Sequence, residues 1–184
     1  MEAPNLESIF LSACCHHWQK TCLRRIRHCA TVLSEEEIWW RANEASNSVG
    51  NLVLHLEGNI RQWVISGLGG APDRRQREAE FAEPGAISRR VLMSRLTGTV
   101  REALAVAGDL SKQDLRRVYS IQGFQVTGLE AVLHVTEHFS YHTGQIIYIT
   151  KLRRRTDLRL TRLPRQPRRG SPKGSTASRF SPPE

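Results

Sequence analysis

The sequence predicts an all-α protein in which residues 1–152 form a four-helix bundle with one longer crossover, and residues 153–184 form a disordered basic tail. Three observations predict this class. Apolar residues recur with an approximate 3.6-residue period over four long stretches. Capping boxes begin at Ser34 and Thr127, each with Glu three residues later. Amphipathic helices of this number bury their apolar faces by packing on one another.

The first predicted helix covers residues 5–33 and contains all four cysteines of the chain. Cys15, Cys22 and Cys29 are spaced by seven residues, which places them on one stripe of the helix. Residues seven apart on a helix are separated by about 10 Å, too far for a disulfide. We therefore expect reduced thiols packed in the core of a cytoplasmic protein.

The second predicted helix covers residues 46–66 and begins at Ser46 or Ser48. Its apolar stripe is bordered by neutral polar side chains, whereas a solvated face normally carries charge. This border is typical of the lining of a cavity. Considered within this helix alone, its histidine is more simply a core residue bonded to a backbone carbonyl. The border consists of Ser48, Asn51, His55, Asn59 and Gln62.

Residues 67–85 form a connection that is too long for an ordinary helix–helix loop, and such loops are often functional. They carry dense charges of both signs. These charges are either solvated or placed at the mouth of a pocket for an anionic substrate group. The candidates for such a substrate rim are Arg61, Arg74 and Arg75.

The third predicted helix covers residues 88–108 and begins after Ser88. Residues 109–126 are expected to form a short extended pair or an irregular crossover. The fourth helix then runs from Thr127 to about Leu152. It contains His134, His138 and His142, which project within about 40° of one line beside its apolar face.

Histidines at i, i+4 can place two imidazoles on one metal ion, although they also occur as hydrogen-bonded core residues. In a bundle, His55 becomes a natural third ligand for a pair on the fourth helix. Three histidines leave a position open for water or substrate, as in catalytic metal sites.

Two stretches carry a resemblance to a known family. They are Asn51-Leu-Val-Leu-His55-Leu-Glu-Gly-Asn59 and Glu137-His138-Phe-Ser-Tyr-His142-Thr-Gly-Gln145. Over residues 5–152 the sequence resembles the DinB/YfiT-like superfamily of metal-binding four-helix bundles, and most of all an uncharacterised subgroup of it. The resemblance implies one divalent metal ion, such as zinc, nickel or iron, on His55, His138 and His142. The candidates for residues that support these ligands are His134, Tyr141, Gln145 and Asn59.

The resemblance implies a metal-dependent enzyme acting on a small molecule, because some relatives are thiol-dependent transferases and others are hydrolases or isomerases. No catalytic residue is predicted, since Glu130 and Glu137 lie about 80° to 100° away from the histidine stripe. A low-molecular-weight thiol activated by the metal would need no protein base, which favours transfer over hydrolysis. The alternative is a non-enzymatic, stress-associated or scaffolding bundle with a structural or vestigial metal site. A homodimer is possible in either case.

The net charge of +9 is concentrated at the C-terminus. Residues 151–184 contain eleven Lys or Arg and two acids, whereas residues 1–150 contain sixteen of each sign. The high pI therefore describes the tail, and nucleic acid is an unlikely partner except weakly through that tail. No apolar run approaches the length of a membrane span, and the N-terminus lacks the layout of a signal peptide.

Overall fold

Four long helices build the fold in the computed structural model, which describes residues 5–160. The all-α bundle predicted from periodicity is therefore confirmed, while the part of the predicted tail from residue 161 onward lies outside the described residues. The first two long helices contain a π-helical stretch, and short helices and one hairpin fill the connections. In chain order the elements are α1 (Leu6–His16), the π-helical His17–Leu23, α2 (Arg24–Val32), α3 (Glu35–Trp39), α4 (Val49–Ile60), the π-helical Arg61–Leu68, α5 (Arg77–Ala82), α6 (Arg89–Asp109), α7 (Lys112–Arg116), β1 (Val118–Ile121), β2 (Phe124–Thr127) and α8 (Gly128–Arg154).

The predicted helix starts are confirmed by their capping geometry. Ser34 and Thr127 form capping boxes with Glu37 and Glu130. Ser48, and not Ser46, caps α4, and the side chain of Asn51 bonds back to the backbone of Ser48. These caps satisfy backbone N–H groups that would otherwise have no partner at the helix start.

The first long helix differs from the prediction in its buried stripe. Cys14, Cys22 and Cys29 are buried, whereas Cys15 is only partly buried. The π-helical stretch His17–Leu23 lies between Cys14 and Cys29, and a π-helical turn takes one residue more than an α-helical turn. The buried stripe therefore shifts by one residue, so that Cys14 and Cys22 are eight apart. All four cysteines are free thiols.

Helix α4 lies between α6 and α8 and is almost entirely buried. Helix α8 also packs against α2, and together these helices enclose one apolar core. Because α4 is central, its polar residues face other helices instead of solvent. The largest fully buried side chains include Trp18, Ile26, Leu56, Leu96 and Phe139.

An antiparallel hairpin connects α7 to α8, which confirms the extended pair expected before Thr127. Val118 pairs with Thr127 and Ile121 pairs with Phe124. The turn residues Gln122 and Gly123 have φ values of 52° and 84°. Positive φ at both central residues is the geometry of a type I′ turn, whose twist matches that of paired strands.

The chain beyond α8 packs on the bundle for several residues. Arg155 adopts a left-handed conformation that ends the helix, and Leu158 is only 5% exposed within the core. The expectation that order ends at about residue 155 is therefore wrong for this segment, because a single leucine is enough to anchor it. None of the described helices has the length and apolar character that crossing a membrane requires.

Candidate metal centre

Three histidines meet between α4 and α8. His55 comes from α4, and His138 and His142 come from successive turns of α8. One ring nitrogen from each lies within 4.8 Å of the others, and Nε2 of His138 is 2.9 Å from Nε2 of His55. His55 and His142 are 5% and 8% exposed, and His138 is partly exposed. The structure thus brings together the three residues that the resemblance implies as ligands.

The donor set fits a divalent transition metal. Histidine nitrogens bind zinc at about 2.0–2.1 Å, so two such ligands on one ion lie about 3 Å apart. The separation of the His55 and His138 nitrogens agrees with that spacing. Within residues 5–160 the group contains only imidazoles, a donor set that suits zinc, iron, nickel or copper better than magnesium or calcium.

The orientation of His55 is fixed by a buried carboxylate. Nδ1 of His55 is 2.9 Å from Oε2 of Glu80. A carboxylate accepts hydrogen bonds, so Nδ1 carries the proton and donates to Glu80. This tautomer leaves the lone pair of Nε2 directed at His138 and available to a metal ion.

Glu80 is in turn held by Arg75. The guanidinium donates to both carboxylate oxygens, at 2.7 Å from Nε and 2.9 Å from Nη2. The side chains of Arg75 and Glu80 are 5% and 10% exposed. Two donors in this fork geometry restrict the carboxylate more than a single contact would.

The crossover that carries Glu80 is fastened to α4. The side-chain amide of Asn51 donates to the backbone carbonyls of Glu80 and Glu83, at 3.0 and 3.1 Å. Glu80 also contacts the position where Gly58 lacks a side chain, so glycine makes room for the carboxylate. Sequence reasoning missed Glu80, since it is one of several charged residues of the crossover and no periodicity distinguishes it.

His142 is oriented from within its own helix. Its Nδ1 lies 2.7 Å from Oε1 of Gln145, one turn later on α8. The amide oxygen accepts the proton of Nδ1, which leaves Nε2 of His142 with a free lone pair. Of the predicted supporting residues, Gln145 is therefore the one that contacts a ligand candidate by a hydrogen bond.

The other predicted supporting residues have different neighbours. The ring of His134 stacks on Trp63 at 3.8 Å and on His138 at 5.5 Å. Asn59 contacts Nε2 of His134 at 3.3 Å, so it supports His134 instead of a ligand candidate. Tyr141 is 64% exposed and packs edge-on against His142 at 5.0 Å.

The three candidate rim arginines line a cavity of about 350 Å³ between α4, α5 and α6. Its described lining includes Glu80 but none of the three clustered histidines. Arg61 is paired with Glu102, and Arg75 is paired with Glu80. The structure therefore separates these arginines from the histidine cluster, and of the three only Arg74 has no ion pair among the described residues.

Burial keeps the cluster in the form that binds metals. Burial, followed by the charges of His142 and His55, lowers the pKa of His138 to about 3. Burial also lowers the pKa of His142. For Glu80, burial alone would raise the pKa, but the hydrogen bonds and charges of Arg75 and His55 outweigh it and lower the pKa. At neutral pH the cluster therefore combines neutral His138 and His142 with an ionised Glu80.

A helical bundle with three converging histidines on its second and fourth long helices defines a DinB-like protein. The structure is similar to a DinB-like protein of Bacillus subtilis, YjoA, with a TM-score of 0.60 at 16% identity over 79% of this chain and 94% of that one. It is similar to a DinB-like protein of Bacillus cereus, with a TM-score of 0.61 at 14% identity over 78% and 90% of the two chains. A conserved protein of Enterococcus faecalis gives a TM-score of 0.63 at 15% identity over 83% and 97%.

The chain belongs to the family described as "protein of unknown function (DUF1572)", which it matches over residues 9–167. No curated protein matches the sequence. The likeness to the solved structures is at low identity and establishes the fold, so the function rests on the site itself.

Proposed function

We propose that the protein holds one divalent metal ion on His55, His138 and His142 and acts as a metal-dependent enzyme on a small molecule. The observation that supports this is the convergence of three imidazole nitrogens within 4.8 Å. Two of the rings are already fixed in the ligating tautomer by Glu80 and Gln145. Such hydrogen bonds to the second ring nitrogen are characteristic of metal-binding histidines.

Three protein ligands leave an open coordination position, which distinguishes catalytic sites from closed structural ones. A divalent ion held there would supply Lewis acidity, which lowers the pKa of a water molecule or a thiol. Glu80 is unsuited to be a general base, because its carboxylate is engaged by His55 and Arg75. Transfer of a low-molecular-weight thiol, which needs no protein base, therefore suits the site better than hydrolysis.

The metal content of protein purified without a His tag tests the ligand set. We expect one metal ion per chain in the wild type and its loss in His138→Ala. His28→Ala is the matched control, since His28 is an exposed histidine of α2, on another element than the three clustered histidines. Absence of saturable zinc or nickel binding in the wild type, or equal metal content in the two variants, would contradict the proposed site.

X-ray absorption on the metal-loaded protein tests the enzymatic part. We expect three histidine nitrogens and at least one exchangeable ligand, and a change in the spectrum when a low-molecular-weight thiol is added. Four protein ligands and no response to thiols would favour the alternative, a non-enzymatic bundle with a structural metal.

We also propose a homodimer in the cytoplasm. The compartment is supported by the four free thiols. Dimerisation is supported by an exposed apolar stripe on α8, where Tyr141, Tyr148 and Leu152 are 64%, 69% and 51% exposed. Light scattering should give twice the chain mass for the wild type and a monomer for Tyr148→Glu.

A further inference from the structure

The first long helix and the end of α8 carry an uneven charge that the net charge of the bundle conceals. Residues 8–34 contain four Lys or Arg, three His and no Asp or Glu. Residues 138–156 contain four Lys or Arg and likewise no acid. Because α2 packs against α8, these two stretches lie side by side and form one cationic surface.

The segment after α8 adds a further cation to this surface. Arg155 turns the chain in a left-handed conformation, and burial of Leu158 fixes the segment against the bundle. Arg159, also left-handed, then lies beside α2, where it lines a cavity together with Arg24 and Arg25. The fold thus gathers arginines that are more than 130 residues apart in the sequence.

Two adjoining cavities mark the place where these cations meet. The first, of about 460 Å³, is lined by Arg24, Arg25, His28, Leu158, Arg159 and Leu160. The second, of about 340 Å³, shares Arg25, Arg159 and Leu160 with the first and adds Ile147, Lys151 and Asp157. Asp157 is the one acid among the described lining residues, and its carboxylate accepts a hydrogen bond from the backbone N–H of Arg159.

Arg25 is the residue that points to a ligand. It lines both cavities, and its Nε is buried without a hydrogen-bond partner among the described residues. A buried donor without a partner costs about 1–3 kcal/mol, and for charged groups more. A phosphate oxygen is the acceptor that a guanidinium binds most favourably.

We propose that this surface binds the phosphodiester backbone of a nucleic acid, with Arg25 and Arg159 as the central phosphate contacts. Phosphate fits the cavities because cations line both of them, and two adjoining cavities suit successive phosphates of one strand. The chain continues from Leu160 with residues 161–184, which contain six Lys or Arg and one acid. Such a composition adds phosphate contacts without a defined structure. The binding is independent of the histidine cluster, whose ligand candidates come from α4 and another stretch of α8.

Binding of the full chain to a fluorescently labelled single-stranded oligonucleotide tests the proposal. The test variant is Arg25→Ala combined with Arg159→Asn, since asparagine tolerates the left-handed backbone at that position. We expect a rise in Kd of about tenfold and a decrease of about two in the slope of log K against log salt, one for each lost phosphate contact. Arg74→Ala is the matched control, because it removes an exposed arginine of the crossover.

Several results would overturn the proposal. One is a Kd and salt slope of the double variant equal to those of Arg74→Ala, which would assign all binding to the remaining cations. Another is strong binding to vesicles containing phosphatidylglycerol without binding to the oligonucleotide. If the double variant melts early, Arg159→Asn alone carries the test, with an expected decrease of about one in the slope. His138→Ala should bind the oligonucleotide like the wild type, so a failed metal site leaves this result intact.

Discussion

Glu80 links three residues that are distant in the sequence and sets the direction of a fourth. It accepts hydrogen bonds from Arg75 and His55, and its backbone carbonyl accepts one from Asn51. The histidine, the carboxylate and the arginine form a chain in which each member fixes the next. The direction of the His55 lone pair therefore depends on a residue that lies outside the four long helices.

Replacement of this carboxylate is the first prediction. Glu80→Gln keeps the shape but removes the charge, so His55 loses its acceptor and Arg75 keeps a buried charge without a counterion. We expect the affinity for zinc to fall by about 10–100-fold. Leaving one member of a buried ion pair costs about 3–5 kcal/mol of unfolding free energy. Isothermal titration with zinc and thermal melting measure the two effects.

Glu78→Gln is the control for this variant, since Glu78 is an exposed acid on the same short helix. It should leave both the zinc affinity and the melting temperature nearly unchanged. Equal zinc affinity in the two variants would show that Glu80 does not position His55.

The low pKa of His138 leads to a prediction about pH. In the metal-free protein its folded-state pKa is about 3, whereas the ordinary value is 6.5. Between these values the unfolded chain binds more protons than the folded chain, so the unfolding free energy decreases as pH falls from 6.5 toward 3. His138→Gln lacks this proton, and the wild type should lose up to about 1.4 kcal/mol per pH unit relative to it.

Urea unfolding of both chelator-treated proteins between pH 7 and 4 measures this difference. Parallel pH profiles would show that His138 titrates normally. The same low pKa values of His138 and His142 move proton competition for the metal to lower pH, so we expect metal release below the pH of about 6 at which ordinary histidines are protonated.

At the residue scale, sequence periodicity was sufficient for the histidines and insufficient for their partners. His138 and His142 share a helix, so their relative positions follow from helical geometry. His55 follows once two helices are packed as neighbours. Glu80 lies in a crossover whose path is set by individual contacts to Asn51 and Gly58, and no repeating pattern encodes such a path.

At the scale of elements, the π-helical stretches show where a regular period fails. The predicted stripe of cysteines assumed 3.6 residues per turn throughout the first helix. The stretch His17–Leu23 moves that stripe by one residue, which buries Cys14 in place of Cys15. A single wider turn leaves no mark in composition, so helix ends were predictable from caps while the register within the helix was not.

The contact between α4 and the crossover gives a prediction of its own. A Cβ at Gly58 would collide with the carboxylate of Glu80. Gly58→Ala should therefore displace Glu80, lower the melting temperature and weaken zinc binding, although alanine favours a helix by up to about 1 kcal/mol over glycine. Gly98→Ala in α6 is the matched control, because nothing lies within 4 Å of its added Cβ.

We expect Gly98→Ala to raise the unfolding free energy by about 0.5–1 kcal/mol and to leave zinc binding unchanged. The two glycine variants thus have opposite expected signs in one thermal melting experiment. A gain in stability for both would mean that the crossover can move away from α4 without loss.

At the scale of the whole molecule, the bundle and the C-terminal residues cannot be separated at the end of α8. The first half of the chain supplies α2, and the segment after Arg155 returns to pack Leu158 into the same core. Composition alone predicted a tail from residue 153, because arginine and proline dominate that region. One buried leucine is too small a signal to change a compositional boundary, yet it determines where Arg159 lies.

Two truncations distinguish the packed segment from the remaining tail. Deletion of residues 161–184 should leave the melting temperature nearly unchanged, since this part contains almost no aliphatic residues to bury. Deletion of residues 156–184 also removes Leu158 and should lower the unfolding free energy by about 2–3 kcal/mol, as expected for a buried leucine. Leu158→Ala in the full chain is the matched variant and should lose a similar amount, because the apolar contact is the same. Equal melting temperatures for the two truncations would show that the segment contributes nothing to the core.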